Sequence, residues 1–289
     1  MSYDLFFQCR DGTYDRAKFF EYFQGREWYK VQGSQAWYEN EDTGAYFSFE
    51  LSDPSEEGGA EHFSVSLNVN FFRPSCFIAE VETEVMAFVH RFDMIAVDPQ
   101  IGGMGDGEYQ RELLIAGWNQ GNEFAFSTFL KDPEHRTKPL SMPSAKLGEI
   151  WAWNRGRKAR QARSGNLKFV PRISFIRLDQ DVSSAAVWTD GIPSVIPPVD
   201  QLIVVRQELA PRRLFRRVKD RSLLAWRDAQ PIFDRYGSKQ SDGAISLDYD
   251  RPPDEIVRFI RSLRAGNPEI SIVSADQVLD RELVEKYSL

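Results

Sequence analysis

EHFSVSLNVNFFRPSCFIAEVETEVMAFVHRFDMIAVD, residues 61–98, contains three hydrophobic patterns in succession. The first pattern is an alternation typical of a half-buried strand, and its apolar members are Phe63, Val65, Leu67 and Val69. Arg73-Pro74 ends this strand, because proline has no N–H to donate to a ladder. Apolar residues then recur every three or four positions, which predicts one face of a helix; they are Ile78, Val81, Val85, Phe88 and Phe92. The apolar run 94–97 predicts a second strand, so the stretch predicts a β-α-β unit.

The residues before this stretch extend the pattern toward the N-terminus. They predict a strand, a helix and three further strands at 3–8, 15–24, 28–31, 35–38 and 46–51. With the pieces at 28–31 and 35–38 counted as one strand, the complete order is β-α-β-β-β-α-β, which suggests a split β-α-β, ferredoxin-like sheet with helices on one face. We therefore predict an α+β fold for the N-terminal part of the chain.

The segment KDPEHRTKPLSMPS, residues 131–144, contains three prolines and few apolar residues, a composition typical of a boundary. We predict an acidic α+β subdomain over 1–131, a Pro-rich connector over 132–144 and a basic, mixed α/β subdomain over 145–289. Residues 1–150 contain 25 acidic and 12 basic side chains, a net charge of −13, whereas the remaining residues have a net charge of +6. Because these charges are complementary, we expect the second subdomain to pack against the first.

The region after residue 98 predicts several further elements. Helices at 113–119 and 123–130 could cover the sheet, and Ser144 could cap a third helix. In the basic subdomain the patterns predict strands at 169–178, 185–188, 201–206, 223–226 and 244–249. The arginine-rich residues 212–217 are predicted to form a short helix.

Composition argues against several classes of protein. Of the 289 residues, 42% are hydrophobic and 13% aromatic, which is enough for a core, and no apolar run reaches the ~18 residues of a membrane span. The N-terminus has no basic region before its apolar stretch, so we expect no signal peptide. Two cysteines, Cys9 and Cys76, and three histidines argue against a disulfide framework and a Cys/His zinc site. We therefore expect a cytoplasmic protein that has no metal or cofactor and does not associate with a membrane.

Two acids leave an enzymatic alternative open. Asp248 and Asp250 could share a divalent ion if they lie on a strand, because alternate residues of a strand point to one face. This pattern would fit a metal-dependent hydrolase, although solvated acids at a strand end fit it too. The glycine-rich residues 102–107 have neither the dinucleotide-binding nor the P-loop spacing, so we interpret them as a loop.

Basic residues form a second alternative. They cluster at 155–163 and 212–221, where arginines could follow phosphates and nearby rings could stack on bases. Those rings are Trp151, Trp153, Phe215 and Trp226. A nucleic-acid-associated protein would use them in this way. No RNP or zinc-finger pattern is present, and the usual interpretation of such charge runs, as solvated helix faces or as docking onto the acidic subdomain, is favoured over nucleic-acid binding.

The leading candidate site combines acids and aromatic residues between positions 37 and 57. Aromatic side chains supply hot spots of binding energy, and carboxylates attract a basic partner. We predict a protein-binding surface formed by Trp37, Tyr38, Glu39, Glu41, Asp42, Tyr46, Glu56 and Glu57. Polar loops that only keep the protein soluble are the alternative.

The sequences SYDLFFQCRDG, residues 2–12, and WYENEDTGAYFSFE, residues 37–50, resemble those of cytoplasmic bacterial immunity proteins, which are encoded beside secreted polymorphic toxins. The resemblance covers the N-terminal third of the chain. It implies an acidic, aromatic-rich α+β protein without an active site, whose partner is a basic toxin domain that it neutralises by occlusion. No individual functional residue is carried over from the family, and the basic second half has no counterpart in it.

Overall fold

The structure is a computed structural model that describes residues 1–10, 14–52, 63–100, 103–131, 139–213, 216–217, 220–264 and 268–288. In chain order, its helices and strands are β1 (Ser2–Cys9), α1 (Arg16–Phe23), β2 (Tyr29–Gln32), β3 (Gln35–Glu39), β4 (Tyr46–Leu51), β5 (Val65–Asn70), α2 (Cys76–Phe92), β6 (Met94–Asp98), β7 (Gly105–Gly107), α3 (Arg111–Phe129), β8 (Ser141–Met142), α4 (Ser144–Ser164), β9 (Ile173–Leu178), β10 (Asp181–Thr189), β11 (Ser194–Ile196), β12 (Gln201–Arg206), β13 (Arg212–Arg213), β14 (Arg216–Arg217), β15 (Asp220–Ala225), α5 (Trp226–Tyr236), β16 (Gly237–Lys239), β17 (Ile245–Leu247), α6 (Asp254–Ser262), β18 (Ser271–Val273), β19 (Leu279–Asp280) and α7 (Arg281–Tyr287). This mixture of helices and sheets confirms the predicted α+β class.

The chain divides into two compact units. The first unit contains Met1–Gly148 and Ala275–Leu289, and the second contains Glu149–Ser274. These bounds differ from the predicted subdomains, because the boundary falls within α4 and the C-terminal segment returns to the first unit. Of the predicted connector, residues 132–138 lie outside the described residues.

The first unit contains a seven-stranded sheet in the order β2-β3-β4-β5-β1-β6-β7. Every neighbouring pair in it is antiparallel. Strands β5 and β6 both pair with β1, so they run parallel to each other with β1 between them and α2 as their connection. The sheet is thus antiparallel, as expected, but it has seven strands where a ferredoxin-like sheet has four.

The core of the first unit lies between this sheet and its helices. Phe7 of β1 and Phe49 of β4 are buried, and the Phe88 ring of α2 lies 5.4 Å from Phe7 and 5.1 Å from Phe49. Phe23 of α1 stacks on Phe88 with the ring centroids 5.7 Å apart. Alternate residues of the strands therefore bury one face of the sheet under α1 and α2, as the period-two pattern predicts.

Helix α3 differs from the prediction of two helices at 113–119 and 123–130. It is one continuous helix of 19 residues. Its buried positions include Trp118 and Phe126, and the backbone remains helical through Gly121, where an added Cβ would lie 2.2 Å from the ring of Phe71. A close approach of a ring, rather than a turn, therefore explains this glycine. Among the described residues no helix is both long and apolar enough to cross a membrane.

The second unit contains a five-stranded sheet in the order β15-β12-β10-β9-β18 and a three-stranded sheet in the order β11-β17-β16. Strands β10 and β12 are parallel, whereas β10 is antiparallel to β9 and β12 to β15, so the sheet is mixed. Arg206 of β12 is 1% exposed and donates to Asp220 of β15 at 2.7 and 2.9 Å. Its Nη1 also donates to the carbonyls of Ile260 and Leu263, at 3.1 and 2.9 Å. One buried guanidinium thus joins two strands to the C-terminal end of α6.

The predicted helix at 212–217 is wrong. The backbone forms a short antiparallel ladder instead, in which Arg212 pairs with Arg217 and Arg213 with Arg216. The sequence offers a reason, because the arginines at 212–213 and 216–217 leave no continuous apolar face to support a helix.

Candidate functional site

Strands β3 and β4 present different residues on the two faces of the first sheet. Ala36, Tyr38 and Phe49 are buried in the core beneath the helices. The alternate residues Trp37 and Tyr46 are partly exposed on the opposite face, as the period of two requires. We call this second side of β3 and β4 the outer face.

Trp37 and Tyr46 form a stacked aromatic pair on the outer face. Their ring centroids are 5.8 Å apart, at an angle of 22° between the ring planes. The hydroxyl of Tyr46 accepts a hydrogen bond of 2.8 Å from Nε of Arg73, and the Arg73 guanidinium lies 5.5 Å from the ring centroid. The Phe77 ring also packs edge-on against Tyr46, at 6.0 Å. These contacts hold Tyr46 in place, so the Trp37 ring rests on a fixed support.

Acidic side chains surround this pair. Glu39 and Glu50 lie on the outer face and are exposed, and Glu39 makes a 3.4 Å ion pair with Lys30. Glu41 is exposed in the turn that follows β3, and Asp42 is partly exposed there. The outer face is therefore acidic around an aromatic centre.

The Asn40 side chain shapes that turn. Its Oδ1 accepts from the backbone N–H groups of Asp42 and Thr43, at 3.0 and 3.4 Å. The turn then closes through the backbone bond from Gly44 N–H to the Asn40 carbonyl, at 2.7 Å. Gly44 has φ of 79°, a left-handed conformation that suits glycine. The turn thus places Tyr46 on the strand beside Trp37.

Of the predicted site residues, Tyr38 lies elsewhere. It is 1% exposed, and its hydroxyl donates a 2.6 Å hydrogen bond to Oε1 of Glu80 on α2. Asn40 donates to the same oxygen, also at 2.6 Å. Tyr38 therefore fixes β3 against α2 and keeps Trp37 on the other side, but its ring is not part of the outer face. Glu56 and Glu57 lie outside the described residues.

Sequence reasoning missed three buried glutamates on α2, namely Glu80, Glu82 and Glu84. Glu84 accepts from Arg26 at 2.7 Å and from the Tyr29 hydroxyl at 3.0 Å. Burial, and next the negative charge of Glu84, raise the pKa of Tyr29 well above its ordinary value. The spacing i, i+2, i+4 was the available signal, because such acids cannot all lie on one solvated helix face. Tyrosines and arginines from neighbouring segments satisfy them instead.

The residues of the hydrolase alternative are also located. Asp248 is 77% exposed, and its carboxylate lies 2.7 Å from the ammonium of Lys168. Lys168 donates as well to Ser246 Oγ, at 3.1 Å. Asp250 is exposed two residues further along the chain. In the described ranges, no three His, Cys, Asp or Glu side chains are grouped so that they could hold a metal ion.

Part of the first basic run makes contacts within the second unit. Arg160 forms a 2.8 Å ion pair with Asp242, and its guanidinium lies 4.6 Å from the ring centroid of Trp153. Trp153 is buried, and its Nε1 donates to the Pro171 carbonyl at 2.8 Å. Trp153 is therefore enclosed, whereas a base-stacking ring must be exposed. Phe215 lies outside the described residues.

Comparison with known proteins gives no relative from which a function could be transferred. No protein-family model matches the chain, and no curated protein and no solved structure matches it. The geometry of the outer face is therefore the basis for a functional proposal.

Proposed function

We propose that the protein is a non-catalytic, cytoplasmic bacterial binding protein, an immunity protein that neutralises a toxin by covering its functional surface. The observation that supports this proposal best is the stacked pair of Trp37 and Tyr46 on an acidic outer face. The resemblance of residues 2–12 and 37–50 to immunity proteins points in the same direction. In the same proposal, the first unit is an elaborated ferredoxin-like sheet with β1 inserted between β5 and β6.

The aromatic pair suits a protein interface because it is already ordered. Tyr46 is held by Arg73 and Phe77, so little side-chain entropy is lost when a partner packs on Trp37. Tryptophan and tyrosine are enriched among the residues that dominate binding energy. Trp37 is therefore the expected anchor.

The charges of the outer face point to a basic partner. Glu39, Glu41 and Glu50 are exposed, and they lie near the aromatic centre or in the turn beside it. Negative charges around an apolar centre attract a basic domain during approach and disfavour an acidic one. The proposed partner is accordingly a basic toxin domain.

Binding kinetics test this arrangement. The proposal requires a secreted toxin encoded next to this chain, and the probe is the C-terminal domain of that toxin, inactivated at its own active site. We expect Glu39→Lys and Glu50→Lys to slow association, with an effect that shrinks as salt rises, because charge steering acts on the association rate. Trp37→Ala should instead speed dissociation. Glu285→Lys is the matched control, since Glu285 is an exposed acid on α7 and belongs to neither strand of the outer face.

The outcome that rejects the proposed surface is equally definite. If Glu39→Lys, Glu50→Lys and Trp37→Ala all bind the toxin domain with wild-type rate constants, the outer face is not the interface. If the wild-type chain does not bind that domain at all, the immunity function itself is rejected.

A further inference from the structure

The side of the first sheet that carries the outer face continues across the other strands. Two rows of paired residues cross this side of the sheet. They are Lys30, Trp37, Ser48, Asn68 and Asp4, and Gln32, Gln35, Glu50, Ser66, Phe6, Val97 and Asp106. Because directly paired residues lie on the same side of a sheet, the second row reaches from β2 to β7. We call this side of all seven strands the wide face.

A second aromatic pair lies on the wide face. The Phe6 ring of β1 stacks on the Phe63 ring, with the centroids 4.8 Å apart and an angle of 30° between the ring planes. Both residues are partly exposed. Phe63 is in phase with the buried Val65, but the backbone bends at Ser64 and the Phe63 ring lies against Phe6. Since Val97 pairs with Phe6, the wide face has an apolar centre on β1 and β6 as well as on β3 and β4.

Acidic side chains outnumber basic ones on the wide face. Lys30 is the one base that the described strands place there. The acids are Asp4, Glu39, Glu50 and Asp106. Arg73, which contacts Tyr46 from outside the strands, lies 4.0 Å from Asp276. Residues 53–62, which precede Phe63 in sequence, contain four acidic residues and no lysine or arginine. The wide face therefore has a negative net charge.

The width of this face matches that of a complete protein interface. Specific interfaces cover about 800 Å² on each partner, which is a patch roughly 30 Å across. Neighbouring strands lie about 4.8 Å apart, so β3 and β4 alone span about 5 Å, whereas seven strands span about 29 Å. A partner that packs on Trp37 thus needs more of the sheet than the outer face provides.

The charge of the wide face selects among possible occupants. A second copy of this chain would bring like charges together, which disfavours association. A basic partner is instead attracted by acids on both sides of the Phe6 pair, because Glu50 and Asp106 belong to the same row as Phe6. Two apolar centres within a negative surface therefore fit a basic protein surface that has apolar groups of its own.

We propose that the partner is a basic domain that covers the wide face and binds both aromatic pairs at once. This inference rests on the immunity function proposed above. Trp37 and Phe6 are three strands and two residues apart, about 16 Å, so the partner presents two apolar groups at that spacing. Basic side chains of the partner lie between them, opposite Asp4, whose carboxylate is held by Asn68 at 2.6 Å and by Ser2 at 3.0 Å.

Dissociation kinetics of the inactivated toxin domain test the second aromatic pair. Phe6→Ala should speed dissociation about tenfold, because an aromatic contact within the interface is lost. Combined with Trp37→Ala, the two factors should multiply, since the sites are more than about 10 Å apart. Ile272→Ala is the control, because Ile272 is a large apolar residue that is 71% exposed on β18 in the second unit.

Asp106→Lys tests the far edge of the wide face without removing a packed ring. Asp106 is exposed on β7, which is five strand intervals, or about 24 Å, from β3. At 0.15 M salt, exposed charges are screened beyond about 8 Å, so this change slows association only if the partner covers β7. We expect association to slow about tenfold, whereas Glu285→Lys should leave the rate unchanged. If melting curves show that Phe6→Ala is unfolded, Asp106→Lys alone decides.

Failure of this inference is distinguishable from failure of the immunity function. If Trp37→Ala speeds dissociation but Phe6→Ala and Asp106→Lys bind with wild-type rate constants, the partner covers only the outer face, and the inference is overturned while the function stands. If the wild-type chain does not bind the toxin domain, both are rejected. If the chain alone sediments as a dimer that Phe6→Ala converts to a monomer, a second copy occupies the wide face, which also overturns the inference.

Discussion

Asp280 near the C-terminus caps the helix that follows Ser75. Its two carboxylate oxygens accept from the backbone N–H of Ser75 at 2.8 Å and from the Ser75 hydroxyl at 2.6 Å, across 205 positions of sequence. The Ser75 side chain itself makes no capping bond within α2. A second acid acts in the same way, because Glu282 accepts from the N–H of Ser144 at 3.0 Å, where α4 begins. The C-terminal segment thus supplies hydrogen-bond acceptors at the N-terminal ends of α2 and α4.

Removing the first of these caps should destabilise the first unit. Asp280 is buried, so Asp280→Ala leaves the Ser75 N–H and hydroxyl without an acceptor. We expect a loss of about 2 kcal/mol in the free energy of unfolding. Urea denaturation measures it, with Glu285→Ala, an exposed acid on α7, as the control. Equal midpoints for the two variants would contradict the capping role.

Trp37 and Tyr38 should respond in opposite ways, although they are neighbours in sequence. Tyr38→Phe removes a buried donor to Glu80, so the free energy of unfolding should fall by about 1–3 kcal/mol. Trp37→Ala removes a partly exposed ring, so it should change stability less while weakening partner binding by about 2 kcal/mol or more. Melting curves of the two variants are the measurement. If Trp37→Ala is the more destabilising, Trp37 is a core residue.

Stability should decrease at alkaline pH because of buried tyrosines. The folded state holds the pKa of Tyr29 well above its ordinary value, through burial and then Glu84. The folded state therefore keeps a proton that the unfolded chain loses above about pH 10, and stability falls there by about 1.4 kcal/mol per pH unit for each such group. Below that pH the contribution of the group is complete. Urea midpoints at several pH values between neutral and alkaline conditions should fall less steeply in Tyr29→Phe than in the wild type; identical slopes would contradict the assignment.

Two ion pairs should differ widely in their contribution to stability. Arg206 and Asp220 are both buried, so Arg206→Met leaves an unpaired buried carboxylate and should cost about 3–5 kcal/mol. Lys286 and Glu123 form an ion pair on the surface of the first unit, where solvent screens the charges, so Lys286→Met should change stability far less. Chemical denaturation of the two variants gives the comparison. A similar loss in both would mean that the Arg206 pair is hydrated.

Local patterns predicted the first sheet well and the placement of distant segments poorly. The alternation of Val65, Leu67 and Val69 correctly gave β5, and the three-to-four spacing from Ile78 to Phe92 correctly gave α2. Nothing local in the sequence shows that Asp280 lies against Ser75, since capping across the chain depends on tertiary structure alone. Because the C-terminal segment belongs to the first unit, the two compact units have different bounds from the subdomains predicted from prolines and net charge.

The candidate site was also predictable only in part, because local patterns do not show tertiary contacts. Periodicity places Trp37 and Tyr38 on opposite faces of β3, but it does not say which face the helices cover. The hydrogen bond from Tyr38 to Glu80 on α2 shows which face the helices cover. The sequence did not predict it, because acidic side chains are usually solvated. The acids at 80, 82 and 84 in an apolar helix indicate that some of them are buried. Their partners, tyrosines on neighbouring segments, can be identified only from the structure.

Co-expression with the toxin encoded beside this chain tests the central claim most directly. Cells that produce the active toxin domain together with the wild-type chain should survive, and survival should be lost with the combined Trp37→Ala and Glu39→Lys changes. The Glu285→Lys control should protect fully, and melting curves should show that all variants are folded. If cells die as fast with the wild-type chain as without it, the protein is not the immunity protein of that toxin. If the Trp37→Ala, Glu39→Lys chain protects as well as the wild type, the outer face does not bind the toxin.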